Sequence, residues 1–389
     1  MKNQQTLDTM SKKLTKEIND ISEEESKNII LNYLSSSSSS FKYLITYSDK
    51  PLENNLNITG EMGSQYPREI LLEITNRCNL KCVHCYKEAG YAKRDDIEIN
   101  KLLSFLTFLS KKVNNIQLSG GEPMLHPRYK EIFNFVTQNF KYPTITIAAT
   151  LITNNNVKYL KEFKSVQVSL YSDNKEEHER VTLIPNSFNK TVRGIKILVE
   201  NGVSVTVTNI ITKNNIHDLE KYINFCVSLG VAEVKFGEFS RVGRGMNLNR
   251  NWELSEEENE IVTQKINEQI QKYKNDIYIY EWNESELEER FIDPYHKGFP
   301  CGAGNLSWTV TEKGNIKPCV FLPEEKFSTA NFYMDTYENI VKKNHIKKLP
   351  INMKKWEMEL NKVDKSTENI CPVMINYIRG FEEYEKNRK

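Results

Sequence analysis

The sequence predicts an α/β fold, a partial, TIM-like (β/α)6 barrel of parallel strands, and three observations carry that prediction. Apolar, β-branched runs of strand length recur between residues 68 and 240. Amphipathic stretches, with apolar residues three and four apart, lie between them, and strands alternating with helices build parallel βαβ units. The chain, at 389 residues and 39% hydrophobic, is long enough to bury one large core and smaller additions.

The predicted strands, in order, are REILLEIT (68–75), NNIQLSG (114–120), PTITIAAT (143–150), SVQVSLY (165–171), SVTVTNII (204–211) and AEVKFGEFS (232–240). Helical patterns between them include INKLLSFLTFLSKKV and DLEKYINFCVSLG. In the second, Leu219, Tyr222, Ile223, Cys226 and Leu229 form one apolar stripe, which makes Cys226 a packing residue. Residues 1–66 read as a charged, partly helical segment broken by six serines at 35–40, a flexible or turn-rich linker. The barrel occupies 67–250, an acidic, tyrosine-rich helical connector 251–290, and a cysteine-bearing unit with hairpin features 291–389. The functional end of such a barrel is the C-terminal edge of its strands.

Composition excludes several classes. Lys+Arg 53 against Asp+Glu 52 leaves a formal net charge of +1, with no basic surplus of the kind that tracks nucleic acid. The first thirty residues lack the apolar core of a signal peptide, and no apolar run is long enough to span a bilayer. A cytoplasmic protein without membrane or nucleic-acid partners is expected. There thiols stay reduced, so clustered cysteines point to metal or catalysis rather than disulfides, and the odd total of seven agrees.

Three cysteines and a histidine crowd into CNLKCVHCY, residues 78–86, just after the first predicted strand. Structural zinc uses four N/S ligands in paired spacings, and catalytic zinc keeps three with more nitrogen. Three thiolates from one loop suit three corners of a 4Fe–4S cube, with the fourth iron open. The second strand ends in SGGEP, Ser119 to Pro123, whose glycines allow a close backbone approach to a ligand.

The C-x3-C-x2-C spacing of Cys78, Cys82 and Cys85, the aromatic Tyr86 and the GGEP segment together resemble the radical S-adenosylmethionine (SAM) superfamily over residues 68–245. The resemblance implies that Cys78, Cys82 and Cys85 are the catalytic metal ligands of a SAM-binding 4Fe–4S cluster. Tyr86, Gly120, Gly121, Glu122 and Pro123 would then bind cofactor, with the GGEP region receiving the SAM amino group. SLYS places Ser169 at the ribose or carboxylate of SAM, EEHERVT brings His178 and Arg180, and RVGRG brings Arg244 in a loop that closes over the cofactor. His84 would contribute shape and backbone contacts near adenine. AATLITNNN departs from the threonine-asparagine-glycine sequence of many members, which leaves the contacts of the third strand unassigned.

CGAGNLSWTVTEKGNIKPC, with Gly314 in a turn between two strand-like runs, resembles the opening half of a SPASM or twitch extension. Cys301, Cys319 and Cys371 are the cysteines left over, which suits the smaller twitch form. They would hold an auxiliary 2Fe–2S or 4Fe–4S cluster in a small C-terminal α+β domain. Enzymes built this way include maturases of ribosomally made peptides such as sactipeptide synthases. The resemblance therefore implies reductive cleavage of SAM to a 5'-deoxyadenosyl radical, hydrogen abstraction from a precursor peptide, and thioether or carbon-carbon crosslinks. A flavodoxin- or ferredoxin-type protein would supply electrons, and residues 1–66 stand where such maturases bind the precursor. Other readings are a peptide epimerase using a thiol donor, a small-molecule enzyme of cofactor biosynthesis, and a non-catalytic iron–sulfur carrier or sensor, which the GGEP pocket argues against.

Overall fold

The computed structural model describes residues 66–67, 69–90, 95–282 and 307–342, with four positions, 12 and 22–24, of the N-terminal segment. Six parallel strands follow the predicted order: β1 (Glu69–Glu73), β2 (Asn115–Ser119), β3 (Tyr142–Ile147), β4 (Ser165–Ser169), β5 (Val205–Ile211) and β6 (Glu233–Glu238). The helices are α1 (Ile99–Leu109) after β1, α2 (Tyr129–Asn139) after β2, α3 (Lys175–Thr182) and α4 (Ser187–Glu200) after β4, α5 (Leu219–Ser228) after β5 and α6 (Glu256–Tyr273) after β6. A short 3-10 turn, Val157–Tyr159, stands between β3 and β4. Each strand pairs with the next in sequence, so the sheet winds in one direction, as right-handed βαβ crossovers dictate.

The two faces of the sheet differ in chemistry. Ile70 and Leu72, Ile116 and Leu118, Val166 and Val168, and Val205 and Val207 are buried with Leu102, Phe105, Phe133, Leu198 and Ile223 of the helices in one core. Alternate positions carry Asn115 and Gln117, Thr144 and Thr146, Ser165 and Gln167, and Thr206 and Thr208. Side-chain bonds knit this polar face: Gln117 Nε2 donates to Thr146 Oγ1 (2.8 Å), and Thr206 Oγ1 donates to Glu233 Oε2 (2.7 Å). A parallel sheet buried on both sides reads as continuous apolar sequence, whereas this alternation belongs to a sheet that curls around a polar interior.

Among the described residues, four further strands extend the sheet to ten strands. The two-residue β7 (Tyr278–Ile279) extends it beyond β6. The predicted hairpin is present as β8 (Ser307–Val310) and β9 (Asn315–Lys317), antiparallel to each other. The sequence places that hairpin in a separate C-terminal unit, yet β8 lies parallel on the open edge of β1, register Ile70 to Trp308, and the sheet is continuous through it. An unpaired β1 would leave a row of backbone donors and acceptors at the edge of the cysteine loop, and β8 satisfies them. β10 (Ala330–Asn331) pairs with β9, and two short helices, α7 (Glu324–Phe327) and α8 (Tyr337–Lys342), complete the segment. Trp308 is fully buried, and Phe332 stacks on Phe105 at 5.0 Å between ring centroids. Among the described residues, no helix is long and apolar enough to cross a membrane.

Because Trp308 is buried in the barrel core, Trp308→Ala is expected to cost about 3–5 kcal/mol of unfolding free energy in a denaturant titration. A loss below about 1 kcal/mol would show that the hairpin is not part of this core.

Candidate active site

The cysteine loop leaves β1 at its C-terminal edge, as the sequence places it. Its base is closed by a short antiparallel bridge between Thr75 and Asp96. Thr75 Oγ1 donates to Asp96 Oδ1 at 2.6 Å, Arg77 pairs with the same carboxylate, and Asn76 Nδ2 donates to Asp95 Oδ2 at 2.8 Å. The loop has no ladder of its own, so its polar backbone is satisfied by other elements. Lys81 and Val83 donate their N–H groups to the carbonyls of Thr182 and Val181 (3.0 and 2.9 Å), acceptors that the end of α3 leaves without helical partners.

Arg244 holds the other side of the loop. Its guanidinium donates to the carbonyls of Cys82 and Ala89, both at 2.9 Å, and its N–H donates to the Cys85 carbonyl. The preceding Gly243 has φ +52, and a Cβ there would stand 2.3 Å from the Tyr86 carbonyl oxygen. RVGRG therefore grips the thiol-bearing backbone, and the contacts of Arg244 fall on the loop itself.

The GGEP glycines also pack against this loop. A Cβ on Gly121 would lie 2.1 Å from the Arg77 carbonyl oxygen, and one on Gly120, at φ +140, would lie 2.5 Å from that of Thr75. Gly121 and Glu122 donate their N–H groups to those two carbonyls, both at 2.7 Å. The end of β2 thus packs directly on the root of the cysteine loop. Pro123 opens a buried 3-10 turn that Glu122 caps. The Glu122 carboxylate accepts from Met124 N (3.2 Å) and Ala148 N (2.8 Å), joining β2 to the end of β3, the strand whose contacts the sequence left unassigned. Burial pushes its carboxyl up to about 7, although both N–H donors favour the charged form.

The three thiols influence one another. Burial pushes Cys82 up to about 12 and raises Cys78 as well, and the neighbouring thiols raise each further. The Tyr171 hydroxyl hydrogen-bonds the Cys82 thiol and also meets Ser169. Tyr86 turns inward, its hydroxyl donating to Glu73 Oε1 at 3.0 Å. Among the described residues, no three His, Cys, Asp or Glu side chains converge as one ion requires. A cubane asks for a different arrangement, each thiolate holding its own iron, and three partly buried thiols in one loop fit it.

Beside the loop opens a cavity of about 580 Å³, within the size range of small-molecule sites. It lies at the ends of β4 and β5, with His84, Tyr171, Arg180, Asn209, Tyr222 and Trp252 in its wall. His84 meets Tyr171 edge-on at 4.8 Å and Trp252 at 5.7 Å. Two buried atoms in this wall, His84 Nδ1 and Asn209 Oδ1, have no hydrogen-bond partner, as expected of a site shaped for a polar ligand. Burial, then the nearby Arg244 charge, pulls His84 down to about 4, so its ring is neutral at pH 7. Arg180 is half exposed at the cavity rim and paired with Glu177. His178 is fully buried and accepts from Tyr171 N at 3.2 Å, setting the turn after β4. Cys226 is fully buried in the core, as its stripe predicts. Cys319 follows β9, whereas Cys301 and Cys371 lie outside the described residues.

Residues 72–226 match the family model described as the radical SAM superfamily. The antilisterial bacteriocin subtilosin biosynthesis protein AlbA of Bacillus subtilis is 26% identical over 371 residues, which cover 90% of this chain and 75% of AlbA. The sporulation killing factor maturation protein SkfB of the same organism is 24% identical over 282 residues, 69% of this chain and 64% of SkfB. Among solved structures, Streptococcus suis SuiB bound to precursor peptide SuiA superposes with a TM-score of 0.62 at 14% identity. That match covers 84% of this chain and 72% of SuiB, and it establishes the shared fold.

Glu122 binds its proton more tightly in the folded chain than in the unfolded one. Its contribution to stability is fully present below the ordinary value of 4.5 and is lost as pH rises through about 7. Cluster-free protein is therefore expected to lose up to roughly 3 kcal/mol relative to Glu122→Gln between acid and neutral pH. A difference independent of pH in parallel denaturant titrations would contradict this account of the buried carboxyl.

Proposed function

The chain carries a radical SAM domain over residues 72–226, and from that premise we propose that it is a maturase of a ribosomally made precursor peptide, forming thioether or carbon-carbon crosslinks. The cofactors of the domain are a 4Fe–4S cluster and SAM. Cys78, Cys82 and Cys85 would hold the cluster, and the cavity between His84 and Asn209 would receive part of SAM. When bound, the pair supplies reductive carbon–sulfur cleavage and a 5'-deoxyadenosyl radical able to abstract hydrogen from an unactivated C–H bond.

The observation that carries the reading is the joint placement of three partly buried thiols and a cavity with a polar wall at the C-terminal edge of one sheet. The chain's own residues supply orientation and exclusion of water. Arg244 and the end of α3 fix the loop backbone, Tyr171 orients Cys82, and the β2 root packed by Gly120 and Gly121 fixes where the loop begins. Neutral His84 presents an uncharged ring to the ligand. Cys319, with Cys301 and Cys371, would serve an auxiliary cluster, and a flavodoxin- or ferredoxin-type protein would deliver electrons.

The peptide part of the reading rests on the relatives, whose names speak of bacteriocin biosynthesis and killing-factor maturation, and on the precursor peptide bound to SuiB. Leader recognition by residues 1–66 belongs to the same proposal. The epimerase reading needs a thiol donor at the barrel mouth, and Cys226 points into the core instead.

Anaerobically reconstituted protein with SAM and dithionite is expected to release 5'-deoxyadenosine, and Cys78→Ala/Cys82→Ala/Cys85→Ala is expected to release none. With the product of a small open reading frame neighbouring its gene, mass spectrometry should show a peptide lighter by the two hydrogens that each crosslink removes. Peptide recovered at unchanged mass but with inverted stereochemistry would replace the maturase by an epimerase, and no peptide change at all would turn the reading to a small-molecule substrate.

A further inference from the structure

The hairpin that leads to Cys319 meets the cysteine loop through buried charge. Lys87, two residues beyond Cys85, has its Nζ 2.8 Å from Glu73 Oε2 and 2.5 Å from Glu312 Oε2. The three side chains are 9%, 1% and 5% exposed, so this is a dry network rather than a surface pair. Its members come from three places: Glu73 ends β1, Lys87 belongs to the cysteine loop, and Glu312 sits in the turn between β8 and β9, 225 residues from Lys87. A second buried cation, Lys317 of β9, lies close enough to feel Glu73 and Lys87. Its Nζ donates to the carbonyls of Val320 and Leu322 at 2.8 and 2.9 Å, which shapes the turn just after Cys319. Two carboxylates and two ammonium groups leave the quartet neutral. Phe321 packs edge-on against Tyr86 at 5.7 Å, alongside the same network.

Elsewhere the hairpin is held by other means. The β1–β8 ladder fixes its first strand, and Phe332 on Phe105 with Tyr333 accepting from Glu98 N at 2.8 Å fixes its far end. The stretch bearing Cys319 lies between those anchors. We propose that Lys87 is a positioning residue which, by holding Glu73 and Glu312 on one nitrogen, fixes the Cys319 segment against the Cys78–Cys85 loop so that the two thiol-bearing segments keep one relative placement. An apolar side chain of the same volume would fill the space without register, because only a shared cation ties two carboxylates from different segments to one point. The inference goes beyond the proposed function, since it concerns the chain's internal coupling and holds whatever substrate is bound.

Peptide-resolved hydrogen exchange on the full-length, cluster-free protein tests it. In Lys87→Met, two carboxylates are left buried without their cation, and amides of 311–322 are expected to exchange at least about tenfold faster while β2 to β5 keep wild-type rates. Lys87→Arg, which keeps the cation, is expected to stay within about threefold of wild type. Glu312→Gln removes a carboxylate far from the loop in sequence; it should open the same segment and, after reconstitution, retain SAM cleavage within about threefold. It carries the test if Lys87→Met does not fold. Unchanged exchange in 311–322 in both Lys87→Met and Glu312→Gln, or acceleration spread evenly over the sheet, would overturn the proposal. Lost SAM cleavage in Glu312→Gln with unchanged exchange would do so too, by placing Glu312 in the chemistry. The exchange readout needs no cluster, SAM or peptide, so failure of the maturase reading would leave it standing.

Discussion

A loop that presents three thiols has no hydrogen-bond ladder of its own, and an unmade backbone bond in a buried place is costly. The central constraint in this protein is therefore how the backbone of residues 76–90 is satisfied from outside. Arg244 takes the Cys82 and Ala89 carbonyls, α3 offers its last carbonyls to Lys81 and Val83, and Gly121 and Glu122 reach the carbonyls of Thr75 and Arg77. These partners come from the end of β2, the end of α3 and the turn after β6, so the loop takes its shape only when the barrel has closed far enough to bring those segments together. The chemistry is in this way made conditional on the fold.

A second constraint is charge. The inner face of the sheet is polar, and at its upper end Glu73 receives both Tyr86 and Lys87, which makes β1 the place where loop, lumen and hairpin meet. Burial alone would pull the Lys87 ammonium toward neutrality, yet its two carboxylates outweigh that and raise it. Parallel pairing of β8 on β1 brings Glu312 within reach of this point. The C-terminal hairpin therefore shares a sheet, a core tryptophan and a salt-bridge network with the barrel.

Much of this was legible in the sequence, and the reasons differ by element. Six strands were readable because β-branched runs alternate with helical spacing, and the thiol loop because three cysteines stand at a tight, unusual interval just after a strand. Cys226 was readable from its stripe. What the glycines of GGEP do was not, since a missing Cβ says that something comes close without saying what, and here it is the loop backbone rather than open space. Arg244 was visible as a residue near the site, but its acceptors are carbonyls 162 and 155 positions away, which no local pattern encodes. Tyr171, Asn209 and Lys87 were missed for the same reason. Their neighbouring residues in sequence suggested ordinary strand ends, and their roles come from partners that only tertiary structure supplies. A hint was present for Lys87, a lysine beside a cysteine loop in a segment that had to be buried. The junction of β8 with β1 could not be read at all, because which strand covers an open sheet edge is decided by the whole fold.

The central claim is that Cys78, Cys82 and Cys85 form a cluster site of their own, distinct from whatever Cys319 serves. Iron and sulfide analysis with EPR of reduced, anaerobically reconstituted protein, with and without SAM, tests it most directly. The account predicts a reduced 4Fe–4S signal that changes on adding SAM in the wild type and in Cys319→Ala, and that is missing from Cys78→Ala/Cys82→Ala/Cys85→Ala. A SAM-responsive signal surviving in the triple variant, or lost in Cys319→Ala alone, would contradict it.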